Sequence, residues 1–185
     1  MNVISLHNKS RIEKFLRTQN YLNIYSIGDL DKFFWNYTNW YALEENGKIY
    51  AIVLKYLGSA IPSILAFCVA SETKYTQTLL KSLLNVLPKK FYAHFSFGLA
   101  KVISDEYTLL SSVPHLKMGL TQKEQLNVHT GDVEIKCLGT NDINKLNTLY
   151  NKAYPHNWFD KRMIQTGQYY GILKDNMVVS VAGIH

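Results

Sequence analysis

Along the chain, apolar positions change period several times, and each change marks an element. Trp40 to Glu45 and Lys48 to Leu57 are apolar-rich, β-branched and aromatic runs on either side of Asn46-Gly47, the strongest short-range signal for a two-residue hairpin. Before them, Ile12, Phe15 and Leu16 fall on one face of a helix, and Ser10-Arg-Ile-Glu13 has the spacing of a capping box. A second short helix is expected over Asp29 to Trp35. After the hairpin, Ile61 to Val69 reads as a strand, with Pro62 tolerable near its start. Leu79, Leu80, Leu83 and Leu87 then keep a helical period from Thr73 until Pro88 ends it. In Phe91 to Phe97 the period returns to two, placing Phe91, Ala93, Phe95 and Phe97 on one face and Tyr92, His94 and Ser96 on the other. A short helix near Leu99 to Ser104 and strands around Tyr107 to Leu110 and His115 to Leu120 are expected to complete this unit, with Val3 to Leu6 as its opening strand.

The pattern then restarts. Thr121 to Asp132 is polar and aperiodic, and 126–132 reads as a linker between a first domain over 1–125 and a second segment over 133–185. Val133 to Leu138 predicts a strand, Asp142 to Tyr154 a helix with Ile143, Leu146, Leu149 and Ala153 on one face, and Phe159 to Thr166 another helix. Tyr169 to Leu173 and Met177 to Ile184 then form a hairpin about Asp175-Asn176. The two hairpins repeat a wording: Trp40-Tyr-Ala-Leu43, Asn46-Gly47 and Lys48 to Val53 run parallel to Tyr169-Tyr-Gly-Ile172, Asp175-Asn176 and Met177 to Ala182. Met177 to Ile184 is apolar on both faces and predicts a buried central strand with a neighbour on each side. The sequence therefore reads as one full unit and the first half of a second.

Composition narrows the chemistry. Of 185 residues, 47% are hydrophobic and 18% charged, an ordinary globular balance. The net charge of +6 is dispersed, with Lys89-Lys90 and Lys161-Arg162 as adjacent pairs, and no arginine-rich tract or aromatic RNA-binding signature appears, which argues against nucleic acid. Cys68 and Cys137 make no ligand spacing, so no metal site is expected, and the reading is of a cytoplasmic protein without membrane attachment. No HExxH, nucleophile elbow, P-loop or G-x-G pair occurs.

The order strand, helix, helix, three strands, helix, strand, helix, two strands, together with NIYSIGDLDKFFW early and NWFDKRMIQTGQYYGI and VSVAGIH late, resembles the GNAT-type N-acetyltransferases, in the bacterial two-part form whose first copy is degenerate. The resemblance implies a mixed α/β fold, a central mixed sheet flanked by helices, plus a partial second unit. It also implies transfer of an acetyl group from acetyl-CoA to an amine by the whole protein. In that family a Q/R-x-x-G-x-G/A loop ahead of a helix binds the pyrophosphate. Here the corresponding segment reads Cys68-Val-Ala-Ser-Glu-Thr-Lys-Tyr75, and its Glu72 repels phosphate, so this chain by itself is expected to bind no acetyl-CoA. Gln168-x-x-Gly171 matches half of the motif but leads into a strand.

The resemblance also places the acceptor amine under the loop between the first two helices of the second copy. Its candidates are Tyr154, Asn157, Trp158 and Phe159, with His156 as a further polar contact; the competing reading has Trp158 and Phe159 stapling a helix to the sheet. No general base is assigned: His185 and His94 are single histidines without a partner motif. The alternative to an enzyme is a non-catalytic binding or assembly module, and the edge at Met177 to Ile184 offers a homodimer contact.

Overall fold

The computed structural model describes residues 1–119, 121, 122, 124, 131, 133–155, 157 and 159–183. They form two compact units, Met1–Leu120 and Thr121–His185. The fold is mixed α+β, with a five-stranded mixed sheet flanked by helices in the first unit and a three-stranded sheet in the second.

In the first unit β1 (Asn2–Ser5) leads to α1 (Lys9–Leu16). That helix starts ahead of the expected capping box: Asn8 Oδ1 accepts from Arg11 N at 3.0 Å, and Glu13 pairs with Arg17 instead. Asn8, two residues before Ser10, is a strong N-cap residue, and its side-chain oxygen satisfies one of the free N–H groups of the first turn. The helix expected over Asp29 to Trp35 is shorter, α3 (Lys32–Trp35), and a further short helix that the sequence reading does not include, α2 (Ile24–Gly28), precedes it. Asp31 is the reason, because its carboxylate accepts from Phe33 N at 2.8 Å and so starts a new helix.

Strands β2 (Thr38–Glu45) and β3 (Lys48–Tyr56) form the hairpin, and Asn46 and Gly47 take φ of 49° and 80°, the pair of positive values that a type I′ turn needs. The third strand is shorter than expected: β4 (Ser63–Ala66) starts after Pro62, whose carbonyl accepts from Tyr92 N. Helix α4 (Thr73–Leu83) crosses to β5 (Tyr92–Phe95). The order β1-β2-β3-β4-β5 is antiparallel except for the parallel β4–β5 step that α4 makes possible.

Alternation in β2 and β3 gives this sheet two faces, and both are covered. Leu43, Ala51, Val53, Ile64 and Ala66 pack under Leu79, Leu80 and Leu83 of α4. Trp40, Ala42, Ile52, Leu54 and Leu65 pack under Leu6, Ile12, Leu16 and Leu30 on the opposite side. Phe91 and Phe95 join the first core as expected, but Phe97 is fully exposed, because the strand ends at Phe95 and Gly98 turns the chain at φ 85°. The strands expected around Tyr107 to Leu110 and His115 to Leu120 are not formed among the described residues. Tyr107 packs edge-on to Phe91 as a side chain alone, and Pro114 removes a donor in the middle of the stretch.

In the second unit β6 (Ile135–Cys137), β7 (Tyr169–Lys174) and β8 (Met177–Gly183) form an antiparallel sheet in that order, with α5 (Ile143–Ala153) between β6 and β7. The expected helix over Phe159 to Thr166 is a 3-10 helix, Lys161–Thr166, started by Asp160. Leu138, Leu146, Met163, Ile164, Tyr169 and Val178 make its core. β8 is not the buried central strand the sequence predicts: it is an edge strand, with Val178 buried and Met177 and Val179 exposed.

The two hairpins agree in detail. Asp175 and Asn176 take φ of 49° and 61°, again a type I′ turn. In each, the third residue after the turn, Tyr50 in one and Val179 in the other, is the extra residue of a β-bulge. Leu6 N bonds to Trp40 O and Leu138 N to Tyr169 O, both at 2.8 Å, so the opening strand meets its hairpin at equivalent residues.

Candidate functional site

The loop that follows α5 carries the acceptor candidates. Tyr154 ends the helix with 65% of its surface exposed. Asn157 is committed to the loop itself: its Nδ2 donates to Tyr154 O at 3.0 Å and its Oδ1 accepts from Phe159 N at 2.8 Å. Phe159 lies between Tyr150 and Tyr169, at centroid distances of 5.1 and 5.7 Å, as a partly buried member of the second core. Trp158, His156 and His185 lie outside the described residues. The structure thus brings Tyr154 and Asn157 together and turns the Phe159 ring into the core; of the described candidates, the Tyr154 ring is the one exposed to a ligand.

The C-terminal end of the parallel pair β4–β5 is the second place to look, since crevices at such ends are where mixed and parallel sheets hold ligands. Here the two strands stay joined to their ends. Ser96 N donates to Ala66 O at 3.0 Å, and Ser96 Oγ accepts from Cys68 N at 3.0 Å. Cys68 Sγ lies 3.8 Å from Thr73 Oγ1, and Glu72 immediately precedes α4 without a side-chain cap bond.

Beside that end is a group of residues that the sequence reading did not bring together. The Lys117 ammonium sits 3.2 Å from the Phe67 ring centroid and 4.6 Å from that of Tyr25, and it donates to the carbonyl of Leu22. Burial pushes its pKa down to about 8. His94 of β5 lies edge-on to Tyr25 at 6.4 Å, and partial burial, then the Lys117 cation and His115, lower its pKa. Both shifts favour the uncharged forms that proton-transfer chemistry uses. Lys117 is written within His115-Leu-Lys-Met-Gly119, where an isolated lysine in an apolar stretch is the signal available. A shallow open depression of about 290 Å³ lies among Leu84, Asn85, Lys89, Glu106 and Tyr107. Among the described residues no group of three or more His, Cys, Asp or Glu is placed to hold a metal, and no helix is long and apolar enough to cross a membrane.

Asp29, at the end of α2, is the most perturbed acid of the first unit: burial raises its pKa to about 7. A folded-state value above the usual 3.8 means that its protonated form is favoured by folding. That contribution is complete below about pH 3.8 and is lost as pH rises through 7. Asp29→Asn is therefore expected to raise the unfolding free energy of the first unit at pH 8, by on the order of 1–3 kcal/mol, and to leave it unchanged at pH 3. Equal effects at both pH values would refute this.

No protein-family model matches the chain, and no curated protein matches it. Among solved structures, one described as "Crystal structure of a probable acetyltransferase" superposes with a TM-score of 0.42 at 10% identity, over 66% of this chain and 99% of that one. That likeness is too loose to carry an argument.

Proposed function

We propose that this chain serves acyl transfer through a GNAT-type fold, with a non-catalytic first unit and a second unit that begins the catalytic copy. The observation that carries the reading is the strand plan: a sheet antiparallel through β4, one parallel β4–β5 step crossed by α4, and a strand-helix-hairpin beginning written a second time with the same turn and bulge. On this reading the first unit itself binds no acetyl-CoA. Two observations support it: the bonds of Ser96 to Ala66 and Cys68 join the strand ends between which the thioester would pass, and an acidic residue, Glu72, stands at the start of α4, where its charge would repel phosphates. The acetyl donor and the acceptor amine belong to the whole protein on this reading. The first unit is proposed to end near residue 125 and the second to begin at 133. The same closure favours a second reading, a binding or assembly module that has kept the fold without its chemistry.

Titration with millimolar acetyl-CoA tests both. This chain is expected to give no saturable heat and a melting temperature constant within a degree, whereas a ligand at about 100 times its dissociation constant would add about 2.7 kcal/mol. A form that includes any residues encoded after His185 is expected to bind acetyl-CoA and to release CoA thiol with an amine. Saturable heat from this chain overturns the non-catalytic assignment of the first unit. Absence of thiol release from the longer form, over a panel of amines, leaves the module reading. In that form Trp158→Ala is expected to raise the acceptor KM and leave acetyl-CoA affinity unchanged; loss of both together would assign Trp158 to the core.

A further inference from the structure

Residues 107–119 run along the first unit without forming a strand or a helix, and they are tied at their two ends. At one end Tyr107 packs edge-on against Phe91. At the other, Lys117 reaches Tyr25 of α2, and Gly119 lies so close to Tyr21 that a Cβ there would stand 2.3 Å from its ring. Between the ends Leu109, Leu110, Val113 and Leu116 are 67–89% exposed. With no ladder and few buried side chains, such a segment opens at low cost.

The anchor at Lys117 is chemically distinct. Lys9, Lys48, Lys55 and Lys74 each lie over one ring, at 4.8–5.7 Å from its centroid. The Lys117 ammonium meets two rings, Phe67 at 3.2 Å and Tyr25 at 4.6 Å, and donates to the Leu22 carbonyl. Among the described residues no carboxylate forms an ion pair with it. Two ring faces and a carbonyl oxygen select a cation that carries N–H donors, which is an alkylammonium group. The walls of this cage belong to the body of the unit and not to the segment that fills it. Phe67 follows β4 and packs against the core beneath α1. Leu22 lies in a turn fixed by its neighbour Asn23, which is 5% exposed and donates from Nδ2 to Leu16 O at 3.0 Å. The cage therefore stays in place when 107–119 lifts.

We propose that this cage is a binding site for a primary alkylammonium group, and that Lys117 fills it from within, so that the 107–119 strap and a free ligand exclude one another. Acyl transfer plays no part in this competition. A ligand that takes the cage releases the strap, and a closed strap keeps the cage from weak ligands.

The test uses n-butylammonium chloride with the full chain carrying carbon-13 at lysine Cε. A methylene held over a ring face resonates upfield of an exposed one, so one lysine signal is expected apart from the rest, and its loss in Lys117→Ala identifies it. A short tether gives the internal lysine an effective concentration in the millimolar range, so the competitor is taken to about 100 mM. The displaced signal is expected to return to the value of the exposed lysines along a saturating curve, with amide shifts in 107–119 and at Tyr25 and Phe67. Lys117→Ala removes the internal competitor and is expected to bind butylammonium at least tenfold more tightly, read from the ring signals of Tyr25 and Phe67. Adding Tyr25→Leu to that variant should weaken binding at least tenfold while the melting temperature stays within a degree or two, since Tyr25 is 44% exposed. Absence of an upfield lysine signal overturns the proposal. So does a signal that butylammonium does not move, or binding no tighter in Lys117→Ala than in the native chain, because Lys117 is then a fixed structural contact. An equal response to sodium chloride or to n-butanol also overturns it, since ionic strength or apolar surface would then be the cause.

Discussion

Trp40→Ala is expected to lower the stability of the first unit by about 3–5 kcal/mol, the scale of a buried tryptophan truncation. Trp40 is 1% exposed, stacks on Trp35 at 6.3 Å with 24° between the planes, and donates from Nε1 to Thr38 Oγ1 at 2.8 Å. Thr38 passes the bond on to the carbonyl of Trp35 at 2.7 Å. One side chain therefore ties the start of β2 to the end of α3. Against a typical total of about 5–15 kcal/mol, the loss is a large fraction. Urea unfolding followed by tryptophan fluorescence measures it, and a midpoint change worth less than 1 kcal/mol would show that the core repacks around the space. Thr38→Val keeps the packing and removes the relay, so it should cost about 1 kcal/mol.

Tyr169→Ala should cost the second unit a similar amount, with a larger consequence. Tyr169 takes the place in the second hairpin that Trp40 takes in the first; it is 4% exposed, packs on Phe159, and its O–H points at Met163 Sδ at 3.5 Å. Gly183 is its cross-strand partner, as Leu54 is of Trp40, and lies so close that a Cβ there would stand 2.6 Å from the ring. A sheet covered on one face has few other side chains to close the gap, and the cooperative transition of this unit is expected to disappear. Loss of its dispersed amide signals, with those of the first unit retained, checks this; a native spectrum for Tyr169→Ala would refute it. Burial, with Tyr150 beside it, pushes the Tyr169 hydroxyl up to about 12. Its neutral form is the folded form, so this contribution is whole below pH 10 and fades as pH rises toward 12. Tyr169→Phe should remove that alkaline sensitivity.

Most of the plan was legible because the signals were local. Asn46-Gly47 and Asp175-Asn176 announce their turns by residues that accept positive φ, and the leucines of α4 announce its buried stripe. What failed was decided at a distance. The apolar alternation of Met177 to Ile184 describes a strand correctly but cannot say whether a neighbour is present on its outer side. Tyr107 to Leu120 has strand composition, yet among the described residues no ladder forms, because composition does not provide a partner. The acceptor candidates show the same limit. Asn157 has the chemistry of a polar contact, and in the folded loop both ends of its amide are consumed by Tyr154 and Phe159. Nothing in the residues around Lys117 reveals that Phe67 and Tyr25 converge on its ammonium.

The paired bulges at Tyr50 and Val179 carry a consequence for how this chain can vary. Side chains alternate along a strand except at a bulge, so one residue gained or lost away from it, between Trp40 and Leu43 or between Tyr169 and Ile172, would invert every position on one side of the change. Such a slip would carry Leu43 or Ile172 across its sheet. Each hairpin is therefore a block of fixed length, open to substitution and closed to insertion. A segment with that property can be moved as a cassette, and the turn residues serve as its natural point of alignment.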